Sequence, residues 1–136
     1  MSNLTEADDI IAMERAAMDR WNRGDTQGVL DLYAEDITYF DPLQDKRVDG
    51  LEAMKALYGS FTGKFKIQSY EMIDAKVQRT GDVAVLTYNL LDEVVELPTG
   101  PTSMKMAWNV TEVYARVEGQ WKIVHAHFSY LHGKQG

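Results

Sequence analysis

Two carboxylates stand where acid/base chemistry could use them. Asp41 ends the short run Ile37-Thr38-Tyr39-Phe40-Asp41 just before Pro42, and Glu112 is the lone charge between Ala107 and Ala115, in phase with Trp108, Val110 and Tyr114. A carboxylate enclosed by apolar groups is pushed toward its protonated form, and two that face each other do not both ionise readily. Asp41 as base, with Glu112 as proton partner or donor to a developing oxyanion, would suit removal of a proton next to a carbonyl. Each residue also has a plainer role open to it: Asp41 as the cap of an Asp-Pro turn, Glu112 as a solvated or salt-bridged strand residue. His125 and His127 place two imidazoles side by side on one strand face, a spacing that metal sites use when a further ligand is present. The sequence identifies no third ligand, so the pair is read as interface or structural, with a pocket proton carrier as the other role and no metal or other cofactor expected.

Other reaction classes lack their residues. The chain has no cysteine, hence no thiol nucleophile, cysteine-ligated zinc or iron–sulfur cluster. Gly-x-Gly-x-x-Gly and Gly-x-Ser-x-Gly are both absent, which leaves dinucleotide chemistry and acyl-enzyme hydrolysis without support. Cofactor-free acid/base chemistry remains. Among the aromatic residues, Trp21, Tyr39, Tyr58, Tyr88, Trp108 and Phe128 are candidates to line an apolar cavity for a small hydrophobic molecule, at spacings that equally suit ordinary core.

The elements that must position these residues follow from length, charge and periodicity. At 136 residues, 45% hydrophobic, the chain suits a single domain, residues 1–136 with a core of about 6–131, able to bury a core unaided. Its net charge is −7, and residues 1–54 carry 13 Asp/Glu against 5 Lys/Arg. That field repels nucleic acid and anionic membranes, and neither is expected as a partner. The start MSNLTEADD is acidic where a signal peptide would be basic, and no apolar run approaches a membrane span, so a cytoplasmic location is expected.

Ile10, Met13, Ala17 and Trp21 recur at helical spacing behind a Thr5…Asp8 capping pattern, which predicts a helix over about 6–23, stopped by Gly24. A short second helix has Val29, Leu32 and Tyr33 on its apolar side. Asp49 and Gly50 open a third, with Leu51, Met54, Leu57, Tyr58 and Phe61. Four long β segments follow at about 65–79, 83–96, 103–117 and 121–131, with turns at Thr80-Gly81-Asp82 and Glu118-Gly119-Gln120 and a loop through Pro98 and Pro101. Helices first and strands afterwards predict an α+β domain with helices on one face of an antiparallel meander. In the last strand Trp121, Ile123, His125, His127 and Ser129 alternate with Val124, Ala126, Phe128 and Tyr130, so both faces carry apolar groups. A solvated face would be more polar, and the outer one is expected to pair with a second copy of the chain.

The segments Trp21-Asn22-Arg23-Gly24-Asp25, Tyr33-Ala34-Glu35-Asp36, Phe40-Asp41-Pro42, Val48-Asp49-Gly50 and Gly119-Gln120-Trp121-Lys122-Ile123-Val124-His125-Ala126-His127 together resemble the nuclear transport factor two-like superfamily, and within it the SnoaL-like group. The resemblance implies a cone: a curved antiparallel sheet wrapped around N-terminal helices, a pocket between them, and pairing through the outer face near His125 and His127. The run from Gly24 to Asp41-Pro42 is similar to ketosteroid isomerases, which implies Asp41 as general base and Glu112 near the position of their protonated aspartate. Their oxyanion tyrosine falls at Ala17, which has no donor. Residues 110–127 are similar to the association domain of calcium/calmodulin-dependent protein kinase II, an assembly module, with Glu112 where that domain has an arginine. By analogy with both relatives, Val124, Ala126 and Phe128 face the pocket. The resemblance thus implies an isomerase, cyclase or dehydratase acting on a hydrophobic carbonyl compound, or alternatively a ligand-binding or oligomerisation module.

Overall fold

Apolar residues three and four apart put one side of α1 (Glu6–Asn22) against a sheet, with Ile10 and Ala17 buried and Met13, Met18 and Trp21 packed around them. The computed structural model describes residues 6–61, 63–96 and 103–132. Gly24, at φ +87°, ends α1, and the N–H groups of Gly24 and Asp25 close its last turn on the carbonyls of Trp21 and Arg20. The expected cap at Thr5 and the Pro98/Pro101 loop lie outside the described residues. The second helix, α2 (Gln27–Leu30), is a single turn; Tyr33, expected on its apolar side, instead starts β1 (Tyr33–Phe40). A two-residue strand, β2 (Val48–Asp49), leads into α3 (Leu51–Phe61), which buries Met54 and Tyr58.

The strands β3 (Phe65–Thr80), β4 (Val83–Glu96), β5 (Ser103–Val117) and β6 (Gln120–Tyr130) keep the expected boundaries within a residue and form the expected antiparallel meander. Glu118 (φ 51°) and Gly119 (φ 80°) supply the two left-handed residues of the tight β5–β6 turn. The sheet order is β2-β1-β6-β5-β4-β3, and β1 joins β6 in parallel, so the curved, unclosed sheet is mixed and not purely antiparallel. That pairing sets Thr38 beside His125 and Phe40 beside His127, segments too distant in sequence for any turn signal to announce.

Bulges bend the sheet and reset its faces. Asp74, at φ 55°, sits in a register break of β3 between Ile73 and Lys76. In β6, Tyr114 of β5 opposes Ile123 while Val113 opposes His125, so Val124 is an extra residue. Strict alternation placed Ile123 with the histidines; the bulge reverses the phase. Ile123 and Ala126 are each 0% exposed on the helix-facing side, with Phe128 packed beside them, and His125 and His127 turn outward beside Phe40. Among the described residues no helix is long and apolar enough to cross a membrane.

Candidate active site

Glu14 lies on the buried side of α1, four residues after Ile10 and three before Ala17, and it meets Glu112 projecting from the inner face of β5. Their exposures are 4% and 2%. Tyr88 on β4 donates its hydroxyl to Glu14 Oε2 at 2.7 Å, and Tyr114 on β5 donates to Glu14 Oε1 at 2.6 Å. Both oxygens of Glu14 therefore have donors. Oε1 of Glu112 has no partner in the structure, and the carboxyl is pushed well above its ordinary value by burial first and by the adjacent, hydrogen-bonded Glu14 second. Burial of this kind favours the protonated form of Glu112. The sequence placed a proton-sharing partner for Glu112 at Asp41; the carboxyl that meets it is Glu14. The signal for Glu14 was present as one acid inside an otherwise apolar helix stripe.

Asp41 stands at the other end of a tyrosine cluster. Its Oδ1 accepts the Leu43 N–H at 2.7 Å, the capping of an Asp-Pro turn, while its Oδ2 accepts the Tyr39 hydroxyl at 2.8 Å. Tyr39 is hydrogen-bonded in turn to Tyr58, and Tyr58 to Tyr33 at 2.8 Å. Each phenol has one proton. Because Tyr39 gives its proton to Asp41, the bonds order as Tyr33 to Tyr58 to Tyr39 to Asp41. Burial raises all three hydroxyls, which keeps them neutral donors. Tyr58 lies within electrostatic reach of both Glu112 and Asp41, so the cluster spans the space between the two acids.

Five of the six candidate ligand contacts form one aromatic stripe on the inner side. Trp21 meets Tyr58 edge-on at 4.9 Å, Tyr58 meets Tyr39 at 6.2 Å, Tyr39 meets Phe128 at 6.0 Å, and Phe128 meets Trp108 at 6.2 Å. Tyr88, the sixth, is committed to Glu14. Side chains occupy this interior, with Tyr33, Tyr58, Tyr88 and Tyr114 all buried. Two concavities lie elsewhere. One of about 230 Å³ is lined by Asp74, Thr87, Tyr88, Asn89, Asn109, Val110 and Thr111, and one of about 480 Å³ by residues that include Gln44, Lys46, Arg47, Asp49 and Ala53. Neither is lined by Asp41, Glu14 or Glu112.

His125 Nδ1 lies 2.8 Å from Thr38 Oγ1, and partial burial together with His127 lowers its proton affinity. Both rings flank Phe40, at 5.6 and 5.1 Å. Among the described residues no three His, Asp or Glu side chains are grouped to hold a metal ion. A further inner-face acid, Asp92, accepts the Trp108 Nε1–H at 3.2 Å, and burial pushes it up to about 6.

The helices cupped in a curved six-strand sheet form a nuclear transport factor two-like α+β cone. Residues 10–133 match the SnoaL-like domain family, and the chain belongs to it. A candidate ketosteroid isomerase from Parabacteroides distasonis is 31% identical, with 96% of this chain and 92% of that one covered and a TM-score of 0.77. A candidate calcium/calmodulin-dependent protein kinase II association domain from Xanthomonas campestris superposes with a TM-score of 0.80 at 20% identity, covering 98% and 93%. A nuclear transport factor two-like protein from Cytophaga hutchinsonii gives 0.75 at 18% identity, covering 94% and 100%. The last two are likenesses of fold. None of the curated proteins compared with the chain matches it.

Asp92 generates a pH prediction. Its folded-state value is raised, so its protonated form adds stability in full below the unfolded value of about 4, and this is lost as pH rises through about 6. Asp92→Asn stays neutral and keeps an acceptor for Trp108. Denaturant unfolding is expected to show this variant more stable than wild type by about 1–3 kcal/mol at pH 8, with the gap closing at pH 4. An equal gap at both pH values contradicts this.

Proposed function

We propose that the chain is a cofactor-free acid/base enzyme that isomerises, or otherwise enolises, a small hydrophobic carbonyl compound held against the aromatic stripe. The observation that carries this reading is the Glu14–Glu112 pair. Withdrawing carboxyl groups from water costs several kcal/mol for each that stays charged, and a hydrophobic pair of similar size would pack the same space at no such cost. Acids placed this way suit proton handling. The likeness to a candidate ketosteroid isomerase at 31% identity supports the same class of chemistry.

In this reading Asp41 removes a proton from the carbon next to the carbonyl and returns it at the far end of the resulting enolate, so the reaction is balanced without a co-reactant. Glu112 turns its proton from Glu14 toward the enolate oxygen. Trp21, Tyr39, Tyr58, Trp108 and Phe128 form the apolar wall, and Tyr88 acts through Glu14. Ligand entry requires the packed aromatic side chains to part. Conversion of a β,γ-unsaturated cyclic ketone to its conjugated isomer, followed by ultraviolet absorbance, tests the assignment. Wild-type turnover above the uncatalysed rate, with about 10²–10⁴-fold loss in Asp41→Asn and in Glu112→Gln at unchanged circular dichroism, is expected. Wild-type protein inactive on a panel of such ketones, or variants as active as wild type, would overturn it.

The outer face supports a second, compatible reading, assembly of copies of this chain. Phe40, 38% exposed, lies there beside outward His125 and His127, Leu91 on β4 is exposed to the same extent, and the fold matches association domains. Sedimentation is expected to give a dimer for wild type and a monomer for Phe40→Glu; a wild-type monomer removes this reading.

A further inference from the structure

We infer that Glu14 is a positioning residue of this site: held by Tyr88 and Tyr114, it forms with Glu112 a carboxyl pair that carries one proton between two acids and keeps it on Glu112. Three observations converge. Both Glu14 oxygens already accept tyrosine hydroxyls, so Glu14 has no oxygen left without a donor. Oε1 of Glu112 is buried and unpartnered, so the hydrogen bond between the two acids runs through the other Glu112 oxygen. Glu14 and Glu112 come from α1 and β5, elements of different layers, so their meeting is a product of the tertiary fold and not of local spacing.

The groups that face the pair complete the argument. Tyr33 on β1, Tyr58 on α3, Tyr88 on β4 and Tyr114 on β5 all lie within electrostatic reach of Glu112, and burial keeps every one of them protonated. Around the pair stand neutral hydroxyls, of which two are spent on Glu14. Ionising Glu112 would set a second negative charge against Glu14 with burial as a further penalty. In the ground state Glu14 therefore accepts the hydrogen bond from protonated Glu112, and a developing oxyanion competes with Glu14 for that hydrogen bond. The catalytic use of that proton rests on the function proposed above; the one-proton pair itself does not.

Carboxyl ¹³C NMR of glutamate-labelled protein, titrated without ligand, tests the pair. Wild-type Glu112 is expected to stay protonated through neutral pH. Glu14→Gln removes the neighbouring charge and is expected to lower the Glu112 transition by about 1–3 units while burial holds it above an exposed glutamate. Should that variant fail to fold, Tyr114→Phe carries the test: losing a donor to the carboxylate, the pair is expected to titrate at higher pH than wild type. A wild-type Glu112 that titrates in the ordinary carboxylate range, or a transition that neither variant moves, overturns the inference. Ketone turnover separates the two claims. Coupled titration without turnover sinks only the proposed catalysis, whereas turnover without coupled titration sinks only the role of Glu14.

Discussion

Two carboxyl groups that meet away from water impose conditions on everything around them. At least one must hold a proton, the remaining charge must be met by donors, and no water can be relied on to supply them. Here the donors are phenols. Tyr88 and Tyr114 reach the two oxygens of Glu14 from adjacent strands, and their own burial keeps them neutral. This requirement accounts for tyrosine in place of phenylalanine at positions 88 and 114, where each ring fills volume and carries one hydroxyl that Glu14 uses.

The rest of the architecture serves that arrangement. The apolar stripe of α1 brings Glu14 down on the inner sheet face, where β4 and β5 present Tyr88, Glu112 and Tyr114. On the far side of the interior, α3 contributes Tyr58 and β1 contributes Tyr33 and Tyr39, and the hydroxyl chain through them ends on Asp41 at the surface. Two polar systems thus share one core. The first is closed and centred on the Glu14–Glu112 proton, and the second leads outward along Tyr33, Tyr58 and Tyr39. The bulge at Val124 lets β6 contribute Ile123, Ala126 and Phe128 to this core while the histidines after the bulge face out.

Much of this was legible in the sequence, because it rests on local periodicity. The long strands, their turns and two of the three helices were placed within a residue or so, and Glu112 stood out as a lone charge in an apolar strand. What was not legible depends on contacts distant in sequence. The parallel β1–β6 pairing has no turn to mark it, and one inserted residue at Val124 is invisible to strict alternation yet moves Ile123 from one face to the other. Glu14 was hidden by a different effect. Within a charge-rich helix it reads as one solvated acid among several, and only its phase with Ile10 and Ala17 marks it as inward. Asp41 takes the plainer role its position allowed, capping the turn through Leu43 with one oxygen, and it receives the Tyr39 hydroxyl on the other.

Neutron diffraction from a deuterium-exchanged crystal at neutral pH would test the central claim most directly, because it locates the shared proton itself. The account predicts a single deuteron between Glu14 and Glu112, bonded to Glu112, with the Tyr88 and Tyr114 deuterons both directed at Glu14. Two bare carboxylates, or a bound cation or water molecule separating them, would contradict it.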